Sequence, residues 1–165
     1  MDRKNRPVYY FAYGSNMDLD KMRYMVGANF KSYQRGVLKD YELVFNKALG
    51  GGTAAANIVP KEGSVVEGVL YELEDPYYDY FSLDMWEGYP DHYTVEILQV
   101  ETEDDKTLPA VVYVAHPSKV KEGLKPTEEY FLHLLEACRL GILSEEYCQR
   151  LRRMYREFFG EEPFV

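Results

Sequence analysis

The chain has 165 residues, 46% of them hydrophobic and 28% charged, with 12 Gly and 8 Pro, a composition that excludes disordered and collagen-like classes and fits one domain over residues 1–165. Acidic residues outnumber basic ones 28 to 19, a formal charge of −9, which argues against nucleic acid and anionic lipid surfaces as partners. Sixteen tyrosines dominate the aromatic content, so rings with polar edges are expected in the core and in pockets.

Residues 8–13 form a short β-branched and aromatic run ended by Gly14-Ser15-Asn16, a strand entering a turn. Residues 18–25 read as a short helix stopped at Gly27. Residues 33–38 and 41–45 read as a hairpin about Lys39-Asp40, and Gly50-Gly51-Gly52 as a flexible break, hinge or close backbone approach rather than a phosphate loop. Residues 53–59 read as a strand closed by Pro60, and 65–73 alternate as a strand should. Asp75-Pro76 starts a helix, Asp as N-cap and Pro at N1, that ends near Trp86-Glu87 with Gly88 as its left-handed terminator. Residues 93–101 and 110–115 are two further strands. Thr127 caps a helix opening with Glu128-Glu129, and Gly141 ends it. Ser144 opens another, in which Tyr147, Leu151, Met154 and Phe158 make an apolar stripe expected to pack on the sheet. The short loop between makes these two helices antiparallel neighbours. The order is that of an α+β protein, mostly antiparallel strands followed by helices packed against one side.

Between Lys61 and Asp105 lie 14 acidic residues and one basic, which reads as solvated strand edges and a helix surface. Cys138 and Cys148 fall in two helices without a C-x-x-C or a nearby His pair, so neither zinc nor a disulfide is expected. His92, His116 and His133 fit no metal spacing. The longest apolar run, 109–115, cannot span a bilayer, and the N-terminus shows no leader pattern, so a soluble cytoplasmic protein is expected.

Two segments can carry chemistry. A strand ending in Tyr13-Gly14-Ser15-Asn16 can turn several backbone N–H groups into one concavity suited to an oxyanion or carboxylate; an ordinary strand-ending turn has the same composition. Ser15 lacks the surroundings of a nucleophile, since no G-x-S-x-G is present and no histidine is marked as its base. Glu87 lies at a predicted helix C-terminus between Trp86 and Tyr89. The negative end of the dipole and the flanking rings should raise its pKa, as suits a general base or acid; a surface Glu before a terminating Gly is the plain alternative.

Taken jointly the segments are more specific. Tyr10-Phe11-Ala12-Tyr13-Gly14-Ser15-Asn16-Met17, Gly51-Gly52-Thr53-Ala54-Ala55-Ala56, Val66-Glu67-Gly68-Val69-Leu70-Tyr71, and Leu83 to Tyr93 with its L-D-x-x-E-G-x-P-x-x-Y pattern resemble, in order, the γ-glutamylcyclotransferase superfamily and its AIG2-like members. The segments 126–130 and 141–147 resemble the helical tail of the γ-glutamyl dipeptide enzymes. The resemblance implies a small, mostly antiparallel, barrel-like sheet with flanking helices and a C-terminal helical hairpin. It implies a cofactor-free, metal-free reaction in which the α-amine of a γ-glutamyl small molecule attacks its own γ-carbonyl, giving 5-oxoproline and a free amine or amino acid. Under it Glu87 is the catalytic residue, Tyr10, Phe11, Ala12, Tyr13, Gly14, Ser15 and Asn16 form the substrate-binding loop, and Tyr93 and Tyr130 line the pocket. Bulky Met85 and Trp86 stand before Glu87. Two other readings compete: release of a larger acceptor such as an acyl group on a carrier protein, which the acidic charge opposes, and a non-catalytic binding module. A monomer or a homodimer is expected.

Overall fold

A computed structural model describes residues 2–164. Five strands close into a barrel in the order β1-β3-β2-β4-β5. They are β1 (Tyr9–Ala12), β2 (Phe30–Gly50), β3 (Thr53–Leu73), β4 (Tyr93–Glu101) and β5 (Thr107–Ala115). Helix α1 (Pro76–Glu87) links β3 to β4, and α2 (Glu128–Arg139) and α3 (Glu145–Phe159) follow the sheet. Most pairings are antiparallel. Closure rests on the parallel pair Tyr10↔Val111 between β1 and β5 and on Val37↔Glu101 between β2 and β4. This is the expected α+β architecture.

The central ribbon departs from the expected pattern. Residues 33–38 and 41–45 are not two arms of a hairpin; both belong to β2, which runs antiparallel to β3 for its whole length. Lys39 pairs with Val65 and Tyr41 with Pro60, so Asp40 on one strand faces residues 61–64 on the other. Asp40 takes a left-handed φ of 65°, and its Oδ1 accepts the Gly63 N–H at 3.0 Å. The local turn signals are used as a bulge that bends a long ribbon without reversing it. Pro60 likewise sits inside β3 at this bend. The reversal is made instead by Gly50-Gly51-Gly52, all at positive φ, so the triglycine is the hairpin turn rather than a flexible break. Farther along, Gly36 and Gly68 pair directly across the ribbon. A Cβ at either would fall within about 3 Å of the Phe11 ring, so the two glycines form the slot that seats Phe11.

Helix ends follow the sequence signals. Thr127 and Ser144 accept the N–H groups of Tyr130 and Tyr147, and Gly88 terminates α1 at φ 70°. At the start of α1 the capping is shifted: the Asp75 side chain makes no cap bond, and Asp79 accepts the N–H groups of Asp75 and Asn29. The short helix expected over residues 18–25 is a wide π-type turn, Lys21–Val26, ended by left-handed Gly27. The stripe on α3 packs inward as expected, with Tyr147 and Leu151 buried and Phe158 edge-on to Phe45 of β2.

Cys138 and Cys148 form a disulfide, contrary to the expectation of two free thiols. The tight connection places the last turn of α2 beside the first turn of α3, with the two Cα atoms 5.8 Å apart. No helix among the described residues is long and apolar enough to cross a membrane.

Candidate active site

The turn after β1, the glycine-turn ends of β2 and β3, the C-terminus of α1 and the first turn of α2 meet around a cavity of about 300 Å³. Nine of the residues singled out from sequence line it: Tyr10, Phe11, Tyr13, Gly14, Ser15, Asn16, Glu87, Tyr93 and Tyr130. Ala12 does not. It is buried in β1 opposite Val69, its carbonyl oxygen abutting Gly68.

Glu87 is carried into the cavity by the last turn of α1, whose position is fixed one turn earlier. Asp84, only 2% exposed, accepts from Arg6 Nη1 (2.8 Å), Arg3 Nε (2.8 Å) and the Tyr113 hydroxyl (2.7 Å). At the other end of the side chain, Asn16 Nδ2 donates to Glu87 Oε1 and to the Tyr10 hydroxyl oxygen, both at 3.1 Å. Burial pushes the Glu87 carboxyl up to about 7, against the lowering influence of Lys21, Lys47 and the Asn16 bond. Burial in the cavity, rather than the helix terminus and two flanking rings expected from sequence, is the cause of the rise. Trp86 lines the cavity, whereas Tyr89 stacks on Arg6 away from it.

The turn at Gly14 is closely packed. A Cβ there would lie 3.0 Å from the Tyr130 hydroxyl oxygen and 3.1 Å from Ala56 Cβ. Tyr71 clamps the turn by donating its hydroxyl to the Asn16 carbonyl at 2.7 Å. Tyr93 donates to the Ala56 carbonyl, and the Ala56 N–H donates back to the Tyr130 oxygen at 3.0 Å. Burial pushes Tyr130 up to about 12, with hydrogen bonds from Ala56 and Ser15 working the other way. The concavity of N–H groups expected at this turn is thus partly filled by a phenol oxygen. Burial followed by the charge of Glu87 holds Tyr10 and Tyr13 well above the usual phenol range, so the cavity is walled by neutral hydroxyls.

A family model described as gamma-glutamyl cyclotransferase, AIG2-like, matches residues 10–132. The chain belongs to this family. Among solved structures, one described as a gamma-glutamyl cyclotransferase is 25% identical with a TM-score of 0.74, covering 87% of this chain and 85% of its own. A human protein described as uncharacterized is 26% identical over the same shares, with a TM-score of 0.73. YkqA from Bacillus subtilis is 25% identical with a TM-score of 0.80, covering 98% of this chain and 57% of its own. No curated protein sequence matches the chain.

Within this family member the cavity also holds two residues that the sequence reading missed, Lys21 and Lys47. Lys21 comes from the π-type turn and donates to Ser15 Oγ at 2.6 Å, with Trp86 and Tyr130 rings within 5.5 Å of Nζ. Lys47 comes from β2; its Nζ lies 2.9 Å from His92 Nδ1. Burial lowers the pKa of both lysines, and the Lys47 cation lowers that of His92. Neither lysine sits in a recognisable motif. Only the irregular pairing of β2 between Val44 and Lys47 and the wide turn at Lys21 deliver them, and both are tertiary outcomes. Among the described residues no group of three His, Cys, Asp or Glu side chains is placed to hold a metal ion.

Proposed function

We propose that the protein converts a γ-glutamyl amide or dipeptide to 5-oxoproline and a free amine or amino acid, with Glu87 moving the protons. The observation that carries this reading is a cavity carboxylate poised near neutrality and held by Asn16, inside a γ-glutamyl cyclotransferase fold. The substrate's α-amine enters as an ammonium ion. Glu87 takes one proton, the freed amine attacks the γ-carbonyl carbon, and a new C–N bond closes the five-membered ring. As the old amide C–N bond breaks, the leaving nitrogen receives a proton from Glu87. The ammonium gives up two protons in all, and both end on the released amine, so the overall step neither takes up nor sheds protons.

Tyr10 and Tyr130 fit the role of oxyanion donors. Each hydroxyl oxygen accepts from an N–H group, Asn16 Nδ2 and Ala56 N respectively, which leaves its own proton to donate into the cavity. Both reacting groups belong to one molecule, so folding the glutamyl chain over Glu87 supplies much of the acceleration. Incubation with a panel of γ-glutamyl dipeptides and γ-glutamylamines should release 5-oxoproline, detected by chromatography, from at least one of them. A folded protein that binds these compounds and forms no 5-oxoproline would overturn the reading in favour of a binding module.

A further inference from the structure

Lys21 and Lys47 are 8% and 4% exposed, yet among the described residues neither has a carboxylate within ion-pair distance. Their polar partners are neutral: Ser15 Oγ for one and a ring nitrogen of His92 for the other. A buried ammonium ion without a counter-charge is unfavourable unless a ligand supplies one. Among the lining residues Glu87 is the single carboxylate against two lysines; Asp18 and Glu129 also act on Lys21 from outside the lining, whereas Lys47 meets Glu87 and the repelling Lys119, so Lys47 is the less compensated cation. The cyclotransferase substrate must bring the complement.

We propose that Lys47 is a specificity-determining residue that receives a carboxylate on the leaving group, so the protein acts on γ-glutamyl α-amino acids in preference to γ-glutamylamines. A γ-glutamyl α-amino acid carries two carboxylates and one ammonium ion, matching Lys21, Lys47 and Glu87 one for one. A simple γ-glutamylamine carries one of each and leaves a buried lysine uncompensated. The assignment of ends follows from the strands. Lys21 is tied to Ser15, in the same turn as Asn16, which holds Glu87; the glutamyl head, whose amine must meet Glu87, belongs there. Lys47 lies on β2 two residues before Leu49, and both line the cavity. Leu49 is half-exposed, so this side of the cavity leads outward, where the leaving group extends.

This inference rests on the cyclotransferase reading, and the test separates the two. γ-Glutamylalanine and γ-glutamylethylamide differ only in the leaving-group carboxylate. The wild type should show a kcat/KM for the dipeptide higher by roughly 10–100-fold, the worth of one charge-assisted hydrogen bond. Lys47→Met should shrink that ratio to within a few-fold, and Lys47→Arg should restore part of it. The ratio is the readout, since a merely structural role would lower both rates together. Equal kcat/KM for the two substrates in the wild type, or an unchanged ratio in a folded Lys47→Met variant, would overturn this inference alone. No 5-oxoproline from either substrate would overturn the cyclotransferase reading and this inference with it.

Discussion

Glu87→Gln should lower turnover by roughly 10²–10⁴-fold while substrate still binds, because the amide keeps the shape and the Asn16 contact region but carries no transferable proton. The wild-type kcat/KM should rise with pH through about 7, the value at which burial leaves this carboxyl, and the Gln variant should lose that limb. In the substrate complex an ammonium ion beside Glu87 favours the carboxylate, so the kcat profile should break at a lower pH than kcat/KM. Stability moves the opposite way. The folded pKa is raised above the ordinary 4.5, so the folded state holds this proton more tightly and loses stability as pH climbs from about 4.5 to about 7. At roughly 1.4 kcal/mol per unit this reaches up to about 3 kcal/mol. Glu87→Gln should therefore be more stable than wild type at pH 8 and nearly equal to it at pH 4, as urea titrations at the two values would record. Wild-type turnover in the Gln variant would refute the proposed proton transfer.

Asp84→Asn should be the most damaging single change to stability. Its carboxylate faces Arg6, whose side chain is fully buried, and Arg3, and also takes the Tyr113 hydroxyl. Removing the charge takes away the carboxylate that faces the buried Arg6, and losing one partner of a buried ion pair destabilises by about 3–5 kcal/mol. For a chain of this size that is a fall in Tm of roughly 10 °C, measurable by circular dichroism or calorimetry. Activity should fall as well, since Asp84 is one turn before Glu87 on α1. A loss under about 1 kcal/mol would show that the ion cluster does not hold the helix.

The architecture was legible where local chemistry and final structure agree. Pro76, Gly88, Thr127 and Ser144 mark helix ends by capping and φ preferences that act within a few residues. It was illegible where distant chain decides. Asp40 and Pro60 carry turn chemistry, but whether such residues reverse a strand or bulge it depends on the partner strand, here the residues 61–64 opposite Asp40. The disulfide was hidden for a related reason: its thiols meet only through the relative phase of α2 and α3. In the cavity, the residues that share a motif with Gly14 or Glu87 were visible. Lys21 and Lys47, isolated cations in a chain with 19 of them, had no local mark to separate them from surface charge.

The buried phenols set an alkaline ceiling for this molecule. An unfolded chain ionises its tyrosines near 10. Burial holds Tyr71, Tyr80 and Tyr113 above that, so in strongly basic solution the unfolded state sheds protons that the folded state keeps, and the balance tilts toward unfolding. These hydroxyls are also fasteners. Tyr80 holds the Pro7 and Tyr9 carbonyls, Tyr71 the Asn16 carbonyl, and Tyr113 the Asp84 carboxylate. Losing any of these protons replaces a donated hydrogen bond with an anion facing an oxygen. Phenolate absorbance from these interior rings should therefore appear in one cooperative step together with collapse of the barrel.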